Sequence, residues 1–138
     1  MDSKCLIALS IANEYLPPKK LAHSLRVAQY AMEDYDFFHP VGVDNEDIFI
    51  VALLHDIIED TKCTLQDLKD KGLSKYLISY IEEITRKEDE EYLDYIKSIG
   101  SSVVILVKRA DIKDHLLLTE TLTDKLKDKY LPAISYLL

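Results

Sequence analysis

Apolar residues recur at i, i+3 and i+4 along most of the chain, a spacing that predicts a succession of short amphipathic helices. Only three glycines and four prolines interrupt it, which specifies an all-α fold of about seven or eight short helices. The first is expected over 3–15, with Ile7, Ile11 and Tyr15 on one face, and is stopped by Pro17-Pro18. A second, over about 20–34, carries Leu21, Leu25, Ala28 and Met32 as its apolar row, with His23 just beside that row. Residues 35–44, with Phe37-Phe38-His39-Pro40 and Gly42, read as a loop, and Asp44 or Asn45 suits the N-cap of the next helix.

That next helix, running from about Asp47 to Thr61, is the most apolar of the chain. Thr64 and Asp67 form a capping pattern for a short helix closed by Gly72, and Ser74 can cap another that runs to about Thr85. Further helices are expected over 92–99, 103–118 and 124–138, the last kinked or restarted at Pro132. The β-branched run Val103-Val104-Ile105-Leu106-Val107 would also suit a buried strand. It is assigned to a helix because no second strand candidate exists to pair with it and helical periodicity continues past it.

Length and composition narrow the function. A chain of 138 residues with 48% apolar content can bury a real core, and it contains no linker or internal repeat, so one compact domain over 1–138 is expected. Its core would span about 20–118, with the terminal helices 1–16 and 124–138 packing on it, the first of them against the last. A formal charge of −8, from 25 acidic and 17 basic residues, supplies no basic field to steer polyanions and disfavours a nucleic-acid polymer as partner. Two cysteines, Cys5 and Cys63, make neither a disulfide framework nor a zinc finger, and a reducing cytoplasm fits them best. The apolar stretch 5–12 lacks the flanks of a signal peptide, and no run approaches the roughly 20 residues that span a bilayer.

The chemistry concentrates in Ala52-Leu53-Leu54-His55-Asp56-Ile57-Ile58-Glu59-Asp60-Thr61. On a continuous helix His55 and Glu59 would form one row and Asp56 and Asp60 the adjacent one, four polar groups on one strip of an apolar element. Buried carboxylates cost several kcal/mol each unless a cation or a wet cleft compensates them. His23 and Asp111 lie on other helices with apolar neighbours. Imidazoles and carboxylates together suit a borderline divalent ion such as Mn²⁺, Fe²⁺ or Zn²⁺, and Glu59 and Asp60 would sit close enough to orient or deprotonate a water held there.

His23, the doublet His55-Asp56 and Asp111 resemble the H…HD…D signature of HD-domain metal-dependent phosphohydrolases. Within that superfamily the stretch 52–61, with Glu59-Asp60 after the HD doublet, is similar to the hydrolase half of RelA/SpoT proteins and to the small alarmone hydrolases. Ile84-Thr85-Arg86, Glu91-Tyr92-Leu93-Asp94-Tyr95-Ile96 and Val107-Lys108-Arg109-Ala110-Asp111 look like small bacterial HD proteins allied to that group, so the likeness runs from His23 to about Leu116. It implies a single HD domain in which His23, His55, Asp56 and Asp111 bind the metal and Glu59 and Asp60 position the attacking water. It also implies manganese as the foremost ion, with Fe²⁺, Zn²⁺, Co²⁺ and Ni²⁺ as alternatives.

The reaction implied is hydrolysis of a small nucleotide or phosphoester, in the alarmone branch removal of the 3′-diphosphate of guanosine tetra- or pentaphosphate. Lys20, Arg86, Lys108 and His115 are candidate substrate contacts, and His115 stands where the alarmone hydrolases have an asparagine. Substrate choice is therefore expected to reside around Lys19-Lys20 and His115. The rivals are a broad HD 5′-nucleotidase, a non-catalytic nucleotide-binding module and a helical interaction protein with a vestigial site. No membrane partner is expected, and a homodimer is open.

Overall fold

The computed structural model describes residues 3–138 as a bundle of nine α-helical segments, with no strand among the described residues. They are α1 (Ser3–Tyr15), α2 (Pro18–Phe38), α3 (Asn45–Leu54), α4 (Ile57–Asp60), α5 (Leu65–Asp70), α6 (Lys75–Ile84), α7 (Tyr92–Ser98), α8 (Ser102–Leu117) and α9 (Asp124–Leu137). The apolar run at 103–107 is helical, inside α8. Asp44 caps α3 by accepting from the Glu46 N–H, and Thr64 and Asp67 close a reciprocal capping box on α5. Ser74 takes the N-cap position of α6, but its hydroxyl is buried and makes no cap bond.

At the centre, α3 packs against α2 and α8, and α2 packs against α8. The core between them is aliphatic: Ile48, Ile50, Val51, Leu53, Leu54 and Ile57 are fully buried, as are Leu77, Ile81, Val104, Val107 and Ile112. A helix apolar on every side needs partners all round, and α3 has them in α1, α2, α6 and α8. The first helix therefore lies chiefly on α3 and the last on α7 and α8, so the expected pairing of the two termini gives way to separate docking on the core.

The buried faces of the first two helices differ from the expected rows. On α1 the buried set is Cys5, Ala8, Ile11 and Ala12, and on α2 it is His23, Ser24, Val27, Ala28 and Ala31, while Leu25 is exposed. Small side chains let α2 approach α3 and α8 closely, so its packed face is the alanine side, and His23 lies within it. The second helix also continues to Phe38, past the expected end near Asp34, and His39 closes it in a left-handed conformation (φ 44°) with its N–H bonded to the Tyr35 carbonyl. Pro132 does not restart α9: the helix is continuous through it, because this proline sits on the exposed side.

The expected helix from 47 to 61 is broken in two, which brings the helical segments to nine. In an unbroken helix the Ala52 carbonyl would accept the Asp56 N–H. Instead it accepts the His55 ring Nδ1–H at 2.6 Å, with the His55 backbone N–H at 3.5 Å, and Asp56 turns to φ −101°, ψ 1°. His55 and Asp56 thus occupy a corner between α3 and α4. The strip of four buried polar groups does not form: His55 is buried and Asp56 half-buried, whereas Glu59 and Asp60 are exposed on α4.

Candidate metal centre and its cleft

The corner at 55–56 faces His23 from α2 and Asp111 from α8, so three separate elements bring the expected ligands together. Ligand atoms of His23, His55 and Asp111 all lie within 4.8 Å of one another. The Asp111 Oδ1 oxygen is 2.9 Å from His23 Nε2 and 3.3 Å from His55 Nε2, and Asp56 Oδ2 is 3.6 and 3.2 Å from the same two nitrogens.

The ring orientations are fixed from behind. The Ala52 carbonyl can only accept, so His55 must carry its hydrogen on Nδ1, and Nε2 points into the cluster. His23 Nδ1 is 2.7 Å from Asp114 Oδ2, and that carboxylate also takes two hydrogen bonds from Arg26, at 2.8 and 3.0 Å. Each ring thus presents Nε2 inward, the arrangement that outer partners impose on metal-binding histidines.

His55 Nε2 supplies the test of fit. It is buried and has no hydrogen-bond partner among the described residues; the two carboxylate oxygens near it do not lie where an N–H would point. A lone pair facing two carboxylates needs a cation between them, either a proton or a metal. Burial alone would push the His55 imidazole down, yet Asp56 and Asp111 outweigh it and hold it well above 6.5. Burial would likewise raise Asp111, but Lys108 and His55 hold it well below the usual carboxylate range. Two imidazole nitrogens and two carboxylates in this geometry fit a borderline divalent ion. His23, His55, Asp111 and Asp56 would hold it.

In front of this cluster opens a cavity of about 190 Å³, lined by Asp56, Glu59, Asp60 and Asp111 together with Lys20, Arg86, Lys108, Lys129 and His115 and with Tyr92, Tyr95 and Tyr130. A second, more apolar cavity of about 530 Å³ lies along α2 and shares Lys20, Asp56 and His115 with the first. Every sequence-predicted site residue therefore reaches the cluster or its cleft, with different attachments. Lys20 is held by Asp60 at 2.9 Å, whereas Glu59 has no ion pair among the described residues. Lys108 is buried, not a surface cation, and binds Asp111 Oδ2 at 2.8 Å. His115 sits 3.3 Å from Asp111 Oδ1 and stacks on Tyr130.

The sequence reading missed Asp114 and Arg26, the pair behind His23, and Lys129 with its neighbour Tyr130. A signal existed for the first two, since Arg26 follows His23 and Asp114 follows Asp111 by three residues, one helical row each. Lys129 carried none, because only the docking of α9 brings it to the cleft.

Comparison with known proteins agrees with this fold. A solved structure of a metazoan ortholog of SpoT, described as hydrolysing ppGpp and playing a role in starvation responses, superposes with a TM-score of 0.74 at 19% identity, over 99% of this chain and 84% of that one, a likeness of fold. A comparison with curated proteins gives no match. The HD domain family model matches residues 21–128, from the helix that carries His23 through Asp111 and into α9, and the chain therefore belongs to the HD-domain family.

Proposed function

We propose that this protein is a metal-dependent phosphohydrolase acting on a nucleotide, with the 3′-diphosphate of a guanosine 3′,5′-bis(diphosphate) as the foremost candidate bond and manganese as the foremost ion. The observation that carries the reading is the inward, unpartnered Nε2 of His55 between two carboxylates, at the foot of a cleft lined with cations. The candidate substrate is supported by the ppGpp hydrolysis described for the structural neighbour.

When bound, a divalent ion makes water a stronger acid at neutral pH and offsets negative charge on a phosphoryl group. The protein's own groups do the rest. Glu59, on the cleft and free of ion pairs among the described residues, accepts the proton of the attacking water. Asp60 is held by Lys20 and orients that water, while Lys108 and Arg86 draw the phosphoryl oxygens inward. The larger apolar cavity beyond Asp56 and His115 takes the nucleoside.

The test is metal content and turnover together. Protein loaded with Mn²⁺ should release phosphate or pyrophosphate from a panel of mono- and polyphosphorylated nucleosides, and Glu59→Gln should slow it by about 10²–10⁴-fold with the metal retained. His55→Ala and Asp56→Ala should lose both metal and activity. Turnover unchanged in those two variants would sink the proposal, and release of phosphate from 5′-mononucleotides alone would replace the candidate bond with a 5′-nucleotidase reaction.

A further inference from the structure

Asp111 Oδ1 faces three imidazoles. Besides His23 Nε2 at 2.9 Å and His55 Nε2 at 3.3 Å, it has His115 Nε2 at 3.3 Å. His115 lies one turn beyond Asp111 on α8, and the i, i+4 spacing puts both side chains on one face. Such a pair is ordinarily a surface contact of little worth. Here the carboxylate is buried, and its other oxygen is held by Lys108 at 2.8 Å.

The spacing is that of a coordination shell. With bonds of about 2.1 Å, neighbouring ligands lie about 3.0 Å apart on an octahedral ion and about 3.4 Å apart on a tetrahedral one. All three nitrogens fall near that range, between 2.9 and 3.3 Å from the one Asp111 oxygen. The rings agree: the centre of His23 lies 5.1 Å from that of His55 and 4.8 Å from that of His115. His115 stands at the edge of the tight group formed by His23, His55 and Asp111, on its open side. Its side chain is 36% exposed, against 1% for His55, and it lines both cavities. Tyr130 stacks on it with ring centres 4.8 Å apart and planes 5° apart, which restricts rotation of the imidazole.

We propose that His115 is a fifth metal-binding side chain, added on the open side of the set formed by His23, His55, Asp56 and Asp111. The inference rests on the metal centre of the phosphohydrolase reading and adds a property to it, the preference among ions. A third imidazole shifts that preference from Mn²⁺ toward Co²⁺, Ni²⁺ and Zn²⁺, because nitrogen donors gain more from the later ions. It also takes up a coordination position that would otherwise be open to other ligands.

The test compares Ni²⁺ and Mn²⁺ affinities, measured by competition with a chelator, in the unaltered protein and in His115→Asn and His115→Phe; the second variant keeps an aromatic ring against Tyr130. Both variants should weaken Ni²⁺ binding by about tenfold or more, since even the outer partners of a metal histidine are worth that much. Mn²⁺ binding should fall less, so that the preference for Ni²⁺ over Mn²⁺ drops by about threefold or more. A histidine that only positions Asp111 would weaken both ions alike; equal losses, or none, overturn the proposal. Pulsed electron paramagnetic resonance of the Mn²⁺-loaded protein carrying isotope-labelled histidine counts the bound imidazoles. Three are expected, falling to two in either variant, and a count of two in the unaltered protein overturns His115 as a ligand. Thermal midpoints of the metal-free variants confirm that they are folded. Failure of the unaltered protein to bind either ion overturns the proposal and the phosphohydrolase reading together, whereas three bound imidazoles without nucleotide turnover uphold the ligand and remove that reading alone.

Discussion

His55 is where backbone and chemistry meet. One ring nitrogen takes the carbonyl that would have continued the helix, and the other is left facing two carboxylates. Its counterpart His23 depends on Asp114, whose carboxyl is fully committed to His23 and Arg26. Burial would raise the Asp114 carboxyl, but Arg26 and then His23 hold it below the usual range, so it stays an acceptor. Asp114→Asn should keep the fold and weaken divalent-metal binding by about 10–100-fold, because the imidazole loses its charged partner. Competition with a chelator reads that affinity directly; an unchanged value would show that Asp114 serves stability alone. Arg26→Lys should have a smaller effect in the same direction, since lysine keeps the charge but not the two-point grip.

At the scale of elements, the break between α3 and α4 turns an apolar helix into a corner that delivers His55 and Asp56 to the site and leaves Glu59 and Asp60 on the cleft. The corner is held by what surrounds it. Leu53 and Ile57, on either side, are fully buried, and α3 has helix neighbours all round. Leu53→Ala should therefore cost about 2–5 kcal/mol of stability, the usual penalty for a large core truncation. Thr64→Ala, which removes half of the α5 capping box, should cost about 1 kcal/mol. Denaturant unfolding of the metal-free protein separates the two, and a Leu53→Ala cost as small as the cap's would mean the corner relaxes into the space.

The whole molecule has a pH signature set by burial. Burial pushes the Cys63 thiol up from 9.0 to about 11, and the Tyr95 and Tyr130 hydroxyls from 10.0 to about 12. The unfolded chain ionises at the lower values, so the stability these groups contribute is complete below pH 9 and is lost as pH rises toward 12. Thermal midpoints of the metal-free protein should fall across that window, and Cys63→Ala should flatten the part between pH 9 and about 11. A midpoint that stays level to pH 12 would contradict it.

Along this chain the sequence by itself determined the helical class, most helix ends and which residues meet at the candidate metal centre. Those features are local or periodic: prolines at 17 and 18, the caps at Asp44 and Thr64, and a histidine-aspartate doublet in an apolar run each carry their reason within a few residues. The buried face of α2 was not legible, because hydrophobicity favours Leu25 whereas close helix packing favours Ser24, Val27 and Ala31. Nor was the corner at 55–56, where a side chain competes with the backbone for one carbonyl. Only tertiary structure decided that Lys129 joins the cations of the cleft. Lys129 arrives there from α9, whose contacts with α7 and α8 join residues far apart in the chain, and long-range docking leaves no mark in local spacing.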